Sequence, residues 1–165
     1  MLGLSLAFQS VVGNNYGARN FHRSNQALNI SLFIALAYCL FVQAIFYIFA
    51  DSIGFVFVDE KNIINEIGRI LPITTLLLFL FGPLLILTTY FQAIGNVRVA
   101  AILGLSKTYL FGIPLILFMP FWLGEIGIWL AGPLAELSLL VLAVLLLTRR
   151  YRKEGIFLFQ ATNRV

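Results

Sequence analysis

Charge is scarce in this chain. Only 11% of its 165 residues are Asp, Glu, Lys or Arg, and 61% are hydrophobic, with a mean hydropathy of +0.97. Soluble domains carry about 25% charged and roughly 45–50% apolar residues. A soluble chain of this size could not hide so much apolar surface from water, so lipid is the implied solvent. Cysteine and histidine are nearly absent too. The single cysteine, Cys39, excludes an internal disulfide framework and a Cys-based metal cluster, and its place inside an apolar run reads as a small buried hydrophobe. The single histidine, His22, lies beside Arg23, so no histidine metal cluster is expected. No acids are paired at a spacing suited to a metal or a general acid/base pair. Gly13–Gly17 is glycine-rich but lacks the Lys-Ser/Thr ending of a P-loop, which leaves ATP hydrolysis unsupported. An enzyme, a resident cofactor and a metal site are therefore not expected. The net charge of +4 forms no basic face, because the basic residues flank apolar runs; a nucleic-acid partner is excluded on that pattern.

What is present is a set of long uncharged stretches. No acid or base occurs between Arg23 and Asp51, nor between Arg69 and Arg98. These gaps place transmembrane helices at 29–50 and 71–94. Two more are expected at 99–122, where the only charge is Lys107 near one end, and at 126–148, where it is Glu136. Each reaches the ~20 residues that a spanning helix needs. Leu, Ile and Phe run without period-2 alternation, so helices are favoured over barrel strands. The expected fold class is all-α, a polytopic membrane helix bundle of about four transmembrane helices. Residues 1–25 read as the end of a preceding helix followed by a loop, since MLGLSLAFQSVV has no basic n-region and is too short to cross the bilayer. The connection DSIGFVFVDEKNIINEIGR follows the first span, and its Phe55–Val58 stretch is expected to dip into the membrane interface.

Lys and Arg are distributed unevenly. Arg19, Arg23, Arg98, Lys107, Arg149, Arg150, Arg152, Lys153 and Arg164 fall on one side. Only Lys61 and Arg69 fall on the other, among Asp51, Asp59, Glu60, Glu66 and Glu125. The positive-inside rule makes the first side cytoplasmic, with both termini and a tail at 149–165 facing inward.

Glu136 is the leading functional candidate. An acid at mid-membrane costs several kcal/mol and must face protein or a water-filled cavity. There it could exchange a proton as a cavity opens to each side. Trp129, Gly132 and Glu136 share a helical face, so an aromatic, a gap and an acid could line one wall and suit a lipophilic cation. Equally, Glu136 could be neutral and glue two helices together. Helix breakers recur: Gly82-Pro83, Pro114, Pro120 and Gly132-Pro133 are candidate kinks, of the kind that often mark transporter sites but are also ordinary in membrane helices. Thr88, Gln92 and Gly95, with Tyr90 nearby, form a polar stripe, as do Cys39, Gln43 and Tyr47. Either stripe could border a substrate path, and interhelical hydrogen bonding is the more frequent role of such residues.

Three motifs carry a family resemblance. Phe8-Gln9-Ser10-Val11-Val12-Gly13-Asn14-Asn15-Tyr16-Gly17-Ala18-Arg19-Asn20, with Arg23 after it, resembles the loop following the eighth helix of the multidrug and toxic compound extrusion (MATE) family. Tyr90-Phe91-Gln92-Ala93-Ile94-Gly95-Asn96 resembles the end of that family's tenth helix, and Gly127-Ile128-Trp129-Leu130-Ala131-Gly132-Pro133-Leu134-Ala135-Glu136 the start of its twelfth. The resemblance implies that the four spans correspond to helices 9–12 of a twelve-helix, two-lobed antiporter of the bacterial inner membrane. Such a carrier exports lipophilic or cationic small molecules in exchange for Na⁺ or H⁺. It also implies a partial carboxyl-terminal lobe whose amino-terminal lobe is missing as a partner. The second span holds no acid where some members carry one, which makes Glu136 the remaining acid candidate. Other readings are a lipid-linked oligosaccharide flippase of related architecture, a small non-transporting membrane subunit, or a four-helix exporter working as a dimer.

Overall fold

The computed structural model describes residues 1–154, with side chains through Arg149. The side chains of Arg150, Arg152 and Lys153, and residues 155–165 of the expected tail with Arg164, lie outside the described residues, while 149–154, expected as tail, continue the last helix. Among the described residues the protein is all-α, without strands. In order come α1 (Leu2–Gly17), α2 (Phe21–Ile48), a short α3 (Ala50–Ile53) continued by a 3₁₀ turn (Gly54–Val56), α4 (Lys61–Thr74) and α5 (Leu78–Ala93). Then follow α6 (Val97–Leu105), a π-helical segment (Ser106–Gly112), α7 (Ile113–Leu123) and α8 (Glu125–Glu154). Phe21–Ile48, Val97–Leu123 and Glu125–Arg149 are each long and apolar enough to cross a membrane, and α4 with α5 makes a fourth crossing when taken as one bent span.

The glycine- and asparagine-rich motif of residues 13–20 turns out to be a helix corner. Its Gly13–Gly17 part is the last turn of α1. Arg19 adopts φ +57°, and the N–H groups of Arg19 and Asn20 donate to the carbonyls of Tyr16 and Asn15. This is a Schellman C-cap, and Asn20 then caps α2 by accepting from the N–H of Arg23 at 3.4 Å. Arg23, read from the sequence as loop, therefore lies in the first turn of α2. The same corner occurs again between α5 and α6. Gly95 has φ +75°, the N–H groups of Gly95 and Asn96 reach Gln92 and Phe91, and the Asn96 side chain accepts from Val99 N–H at 3.4 Å. Gly13 lies against the Ala93 carbonyl, so the two corners sit side by side at one end of the bundle, along with Arg19, Arg23 and Arg98.

The second crossing is broken, but not where the sequence suggested. Its halves meet at 49° around residues 75–77, whereas α5 stays helical through Pro83. The proline nearest the break is Pro72, in the last turn of α4. Leu76, Leu78 and Leu80 turn their N–H groups to tighter partners, Ile73, Thr75 and Leu77. Among the groups this releases from the i→i−4 ladder are the carbonyls of Pro72 and Leu76 and the N–H of Phe79. In hydrocarbon no water can take such groups, so protein must. The polar stripe of α2 supplies the partners. Tyr47 Oη donates to the Pro72 carbonyl (3.1 Å), Gln43 Nε2 donates to the Leu76 carbonyl (3.0 Å), and Gln43 Oε1 accepts from Phe79 N–H (3.0 Å). Of the two roles open to this stripe, the structure gives Gln43 and Tyr47 the interhelical one, and Cys39 packs against Gly82.

Close packing follows small residues. The inward stripe of α2 is Ser24, Leu28, Ser31, Ala35 and Cys39, spaced at three and four. Phe33, Phe41 and Ile48 point outward, as a lipid-facing surface requires. Gly82 of α5 fits against this stripe so tightly that a Cβ there would stand 2.8 Å from the Ala35 carbonyl oxygen and 2.8 Å from Cys39 Sγ. α1 buries Ser5, Phe8 and Val12 against α2 and α5. α7 and α8 form a hairpin through Gly124, whose φ of +58° and ψ of −142° suit only glycine. α8 turns Ala131, Ala135, Leu139 and Ala143 inward. At the end of the bundle away from the two corners, Arg69 pairs with Glu66 (2.8 Å) and with Glu125 (3.1 Å), tying α4 to the start of α8. Phe55, Val56 and Phe57 stand exposed on the 3₁₀ turn and the residue after it.

Two stability outcomes follow. Gln43→Leu strands the Leu76 carbonyl and the Phe79 N–H and is expected to cost about 1–3 kcal/mol for each group left unpaired. Gly82→Ala is expected to cost roughly 1–3 kcal/mol by forcing α2 and α5 apart, while Gly132→Ala, where a Cβ meets nothing within 4 Å, is tolerated. Thermal unfolding in detergent reads both, and a Gly132→Ala protein as unstable as Gly82→Ala would contradict the packing argument.

Candidate functional site

Lys107 lies within the Val97–Leu123 span, not at its end as the sequence suggested. The π-helical segment that holds it has a local cause. Pro114 has no N–H to return to the carbonyl four residues earlier, so the ladder must change its step ahead of it. Gly112 allows the wider turn: a Cβ there would meet the Lys107 carbonyl oxygen at 3.0 Å. Pro114 thus opens α7 just after the irregular turn rather than kinking a regular helix, and Pro120 and Pro133 sit inside α7 and α8. π turns within membrane and soluble helices are uncommon and cluster at functional sites.

On this segment Lys107 Nζ reaches Glu136 Oε1 at 2.6 Å and stands 4.4 Å from the centre of the Phe81 ring. The carboxylate side chain is 11% exposed and the lysine 35%. Glu136 Oε2 is buried with no hydrogen-bond partner. Beside the pair opens a cavity of about 130 Å³, half enclosed, with Phe81, Leu84, Leu85 and Thr88 from α5, Leu103, Gly104 and Lys107 from the third crossing, and Glu136 and Leu139 from α8. The two charges neutralise each other at a depth where either alone is costly. The site therefore combines an acid, a base, an aromatic face and leucine walls in one half-open pocket.

The sequence-derived candidates divide around it. Glu136 and Thr88 line the cavity; the Thr88 hydroxyl donates to the Leu84 carbonyl of its own helix at 2.9 Å. Trp129 and Gly132 do not join Glu136. The Trp129 indole N–H reaches back to Glu125 Oε1 at 3.4 Å, toward the start of α8, and Gly132 faces open space. Side chains on a helix lean toward its N-terminus, and an acceptor four residues earlier draws the indole that way. Tyr90 is buried edge-on against Phe91, and Gln92 is exposed at the end of α5. Sequence reasoning missed Lys107 and Phe81. The signal available was the position of Lys107 after eight uncharged residues, Val99 to Ser106, too deep for a turn. No group of three or more His, Cys, Asp or Glu is placed to hold a metal among the described residues.

A helix bundle with four membrane crossings, one of them broken, and an ion pair at membrane depth defines an integral membrane protein with an interior polar site. The chain belongs to the MatE family, whose model matches residues 1–118. Its fold is similar to that of the MATE multidrug transporter DinF-BH, solved in complex with a small-molecule ligand, at 29% sequence identity and a TM-score of 0.85. That likeness covers 96% of this chain and 34% of the transporter's, so the chain spans about a third of the length of the solved protein it resembles. No curated protein matches. The family match takes in Lys107 but ends before α8, whereas the structural likeness extends over nearly the whole chain.

The buried pair makes a thermodynamic signature. Lys107→Met or Glu136→Gln alone is expected to destabilise the protein by about 3–5 kcal/mol, because each strands a charge. The double variant should lose clearly less than the two single losses together, measured by a double-mutant cycle on thermal unfolding. Additive losses would mean that the two groups do not interact.

Proposed function

We propose that this chain forms part of the carboxyl-terminal lobe of a secondary exporter of lipophilic and cationic small molecules, driven by Na⁺ or H⁺ antiport. The observation that carries this reading is the likeness, over nearly all of the chain, to a multidrug transporter caught with a bound compound. Alternating access requires two lobes moving about a shared cavity, so the lobe works with an amino-terminal counterpart. The excess of Arg and Lys at the corner end supports a bacterial inner-membrane orientation with both termini in the cytoplasm.

Within this lobe the cavity beside Glu136 is the coupling and recognition site. A membrane acid can hold a proton, a sodium ion or an organic cation in turn, and exchange among them is what antiport needs. The leucine walls favour an apolar ligand body, and the Phe81 ring favours its cationic centre. A lipid-linked oligosaccharide flippase is less well supported: among the described residues, Lys107 is the cation deep within a span, and Glu136 already neutralises it.

In the intact protein, Glu136→Gln is expected to abolish pH-dependent resistance to ethidium when compared at matched levels of folded protein in the membrane. Unchanged resistance would remove Glu136 from the mechanism. Reporter tags beside Arg19 and Arg152 should both report from the cytoplasm, and opposite faces would overturn the orientation.

A further inference from the structure

The pair formed by Lys107 and Glu136 is unlike a purely structural salt bridge. A structural bridge at membrane depth has its carboxylate oxygens satisfied and its surroundings sealed. Here one carboxylate oxygen has no partner, the lysine is a third exposed, and a cavity opens beside it. The lysine also hangs from a π turn, the least regular stretch of its span. Its ammonium sits between a carboxylate and the face of a phenyl ring, with leucine side chains around its stem. Those are the surroundings that recognise an alkylammonium ligand.

We infer that Lys107 is a tethered stand-in for the exported cation: it holds the ammonium position between Glu136 and Phe81 until a ligand's own cationic centre displaces it. The inference rests on the exporter reading for what the ligand is, and adds that the chain carries its own competitor. A cavity of about 130 Å³ is smaller than the roughly 300–1,000 Å³ of a drug-sized site, so it takes the cationic head alone and leaves the apolar body outside. Lys107 sets the threshold for entry. A ligand must replace both its charge on Oε1 and its contact with Phe81, so an organic cation with apolar surface to offer the leucines is favoured. Displacement swings the lysine toward the open side of the cavity, where it is already partly exposed, so its charge leaves the pocket as the ligand's enters. When the ligand departs, the lysine returns, and Glu136 is never left as a bare charge facing hydrocarbon.

The test uses the intact protein in detergent with ethidium as the probe. Lys107→Gln keeps a donor for Glu136 but removes the competing charge, and should bind ethidium roughly tenfold tighter, a conservative value for a unit charge removed within about 4 Å. Lys107→Arg keeps the competing charge and should show no such gain, and Lys107→Gln with Glu136→Gln should lose the gain. A second measurement needs no variant: saturating ethidium should speed acylation of Lys107 by an amine-directed reagent several-fold, mapped by mass spectrometry. Equal or weaker binding by a folded Lys107→Gln protein, a gain that survives Glu136→Gln, or labelling of Lys107 that ethidium leaves unchanged or slows, would each overturn the inference. Should Lys107→Gln fail to fold, the labelling result decides alone. Ethidium efflux from proteoliposomes separates the two readings: efflux without the tighter binding removes the tethered cation and keeps the exporter, and the reverse removes the exporter and keeps the tethered cation.

Discussion

Hydrocarbon cannot bind a polar group, so every irregularity in a membrane helix must be answered by another part of the protein. Three irregular places in this bundle meet that demand in three ways. The break at residues 75–77 frees backbone groups, and the side chains of Gln43 and Tyr47 on α2 take the carbonyls of Pro72 and Leu76 and the N–H of Phe79. The π segment changes its step ahead of Pro114, and Gly112 lets the widened turn close on the Lys107 carbonyl. Lys107 brings a charge to membrane depth and finds Glu136. The third is incompletely answered, since Glu136 Oε2 has no partner.

The same constraint separates scaffold from site. α1, α2 and the two halves of the broken crossing are joined by small residues and by side-chain bonds to backbone. Gly82 seated on Ala35 and Cys39 leaves no room for a side chain between the helices there. The π segment is held differently, through one ion pair, an aromatic contact and a glycine. Between these regions lies the cavity. A rigid wall on α5 thus faces a less regular wall carrying the lysine, an arrangement suited to a group that must move while its neighbours stay put.

The two corners show how local chemistry repeats without an evident sequence repeat. Arg19-Asn20 and Gly95-Asn96 share little beyond the asparagine, yet both place a residue at positive φ and then use the asparagine to close one helix and open the next. The family-like motif at residues 13–20 therefore has a structural role that accounts for its asparagine and its final glycine-rich turn. Its basic residues gather with Arg98 at the same end because the two corners are neighbours.

Much of this was legible in the sequence, because hydropathy and helical period act on neighbouring residues. The uncharged runs marked where the chain crosses lipid, the bias of Lys and Arg marked the ends, and Glu136 declared itself as a polar group where none is cheap. The spacing of Cys39, Gln43 and Tyr47 showed that they share a face, though not what they meet. Tertiary structure decided the rest. The second crossing breaks after Pro72 and not at Pro83, because α2 offers partners for freed backbone groups at the one place. Trp129 turns to Glu125 and away from Glu136, because an acceptor lies there. Lys107, read as a marker of the membrane edge, became the partner of Glu136 only when α8 was packed against the π segment. Sequence alone shows what each residue must avoid; which groups meet to satisfy one another depends on contacts between helices far apart in the chain.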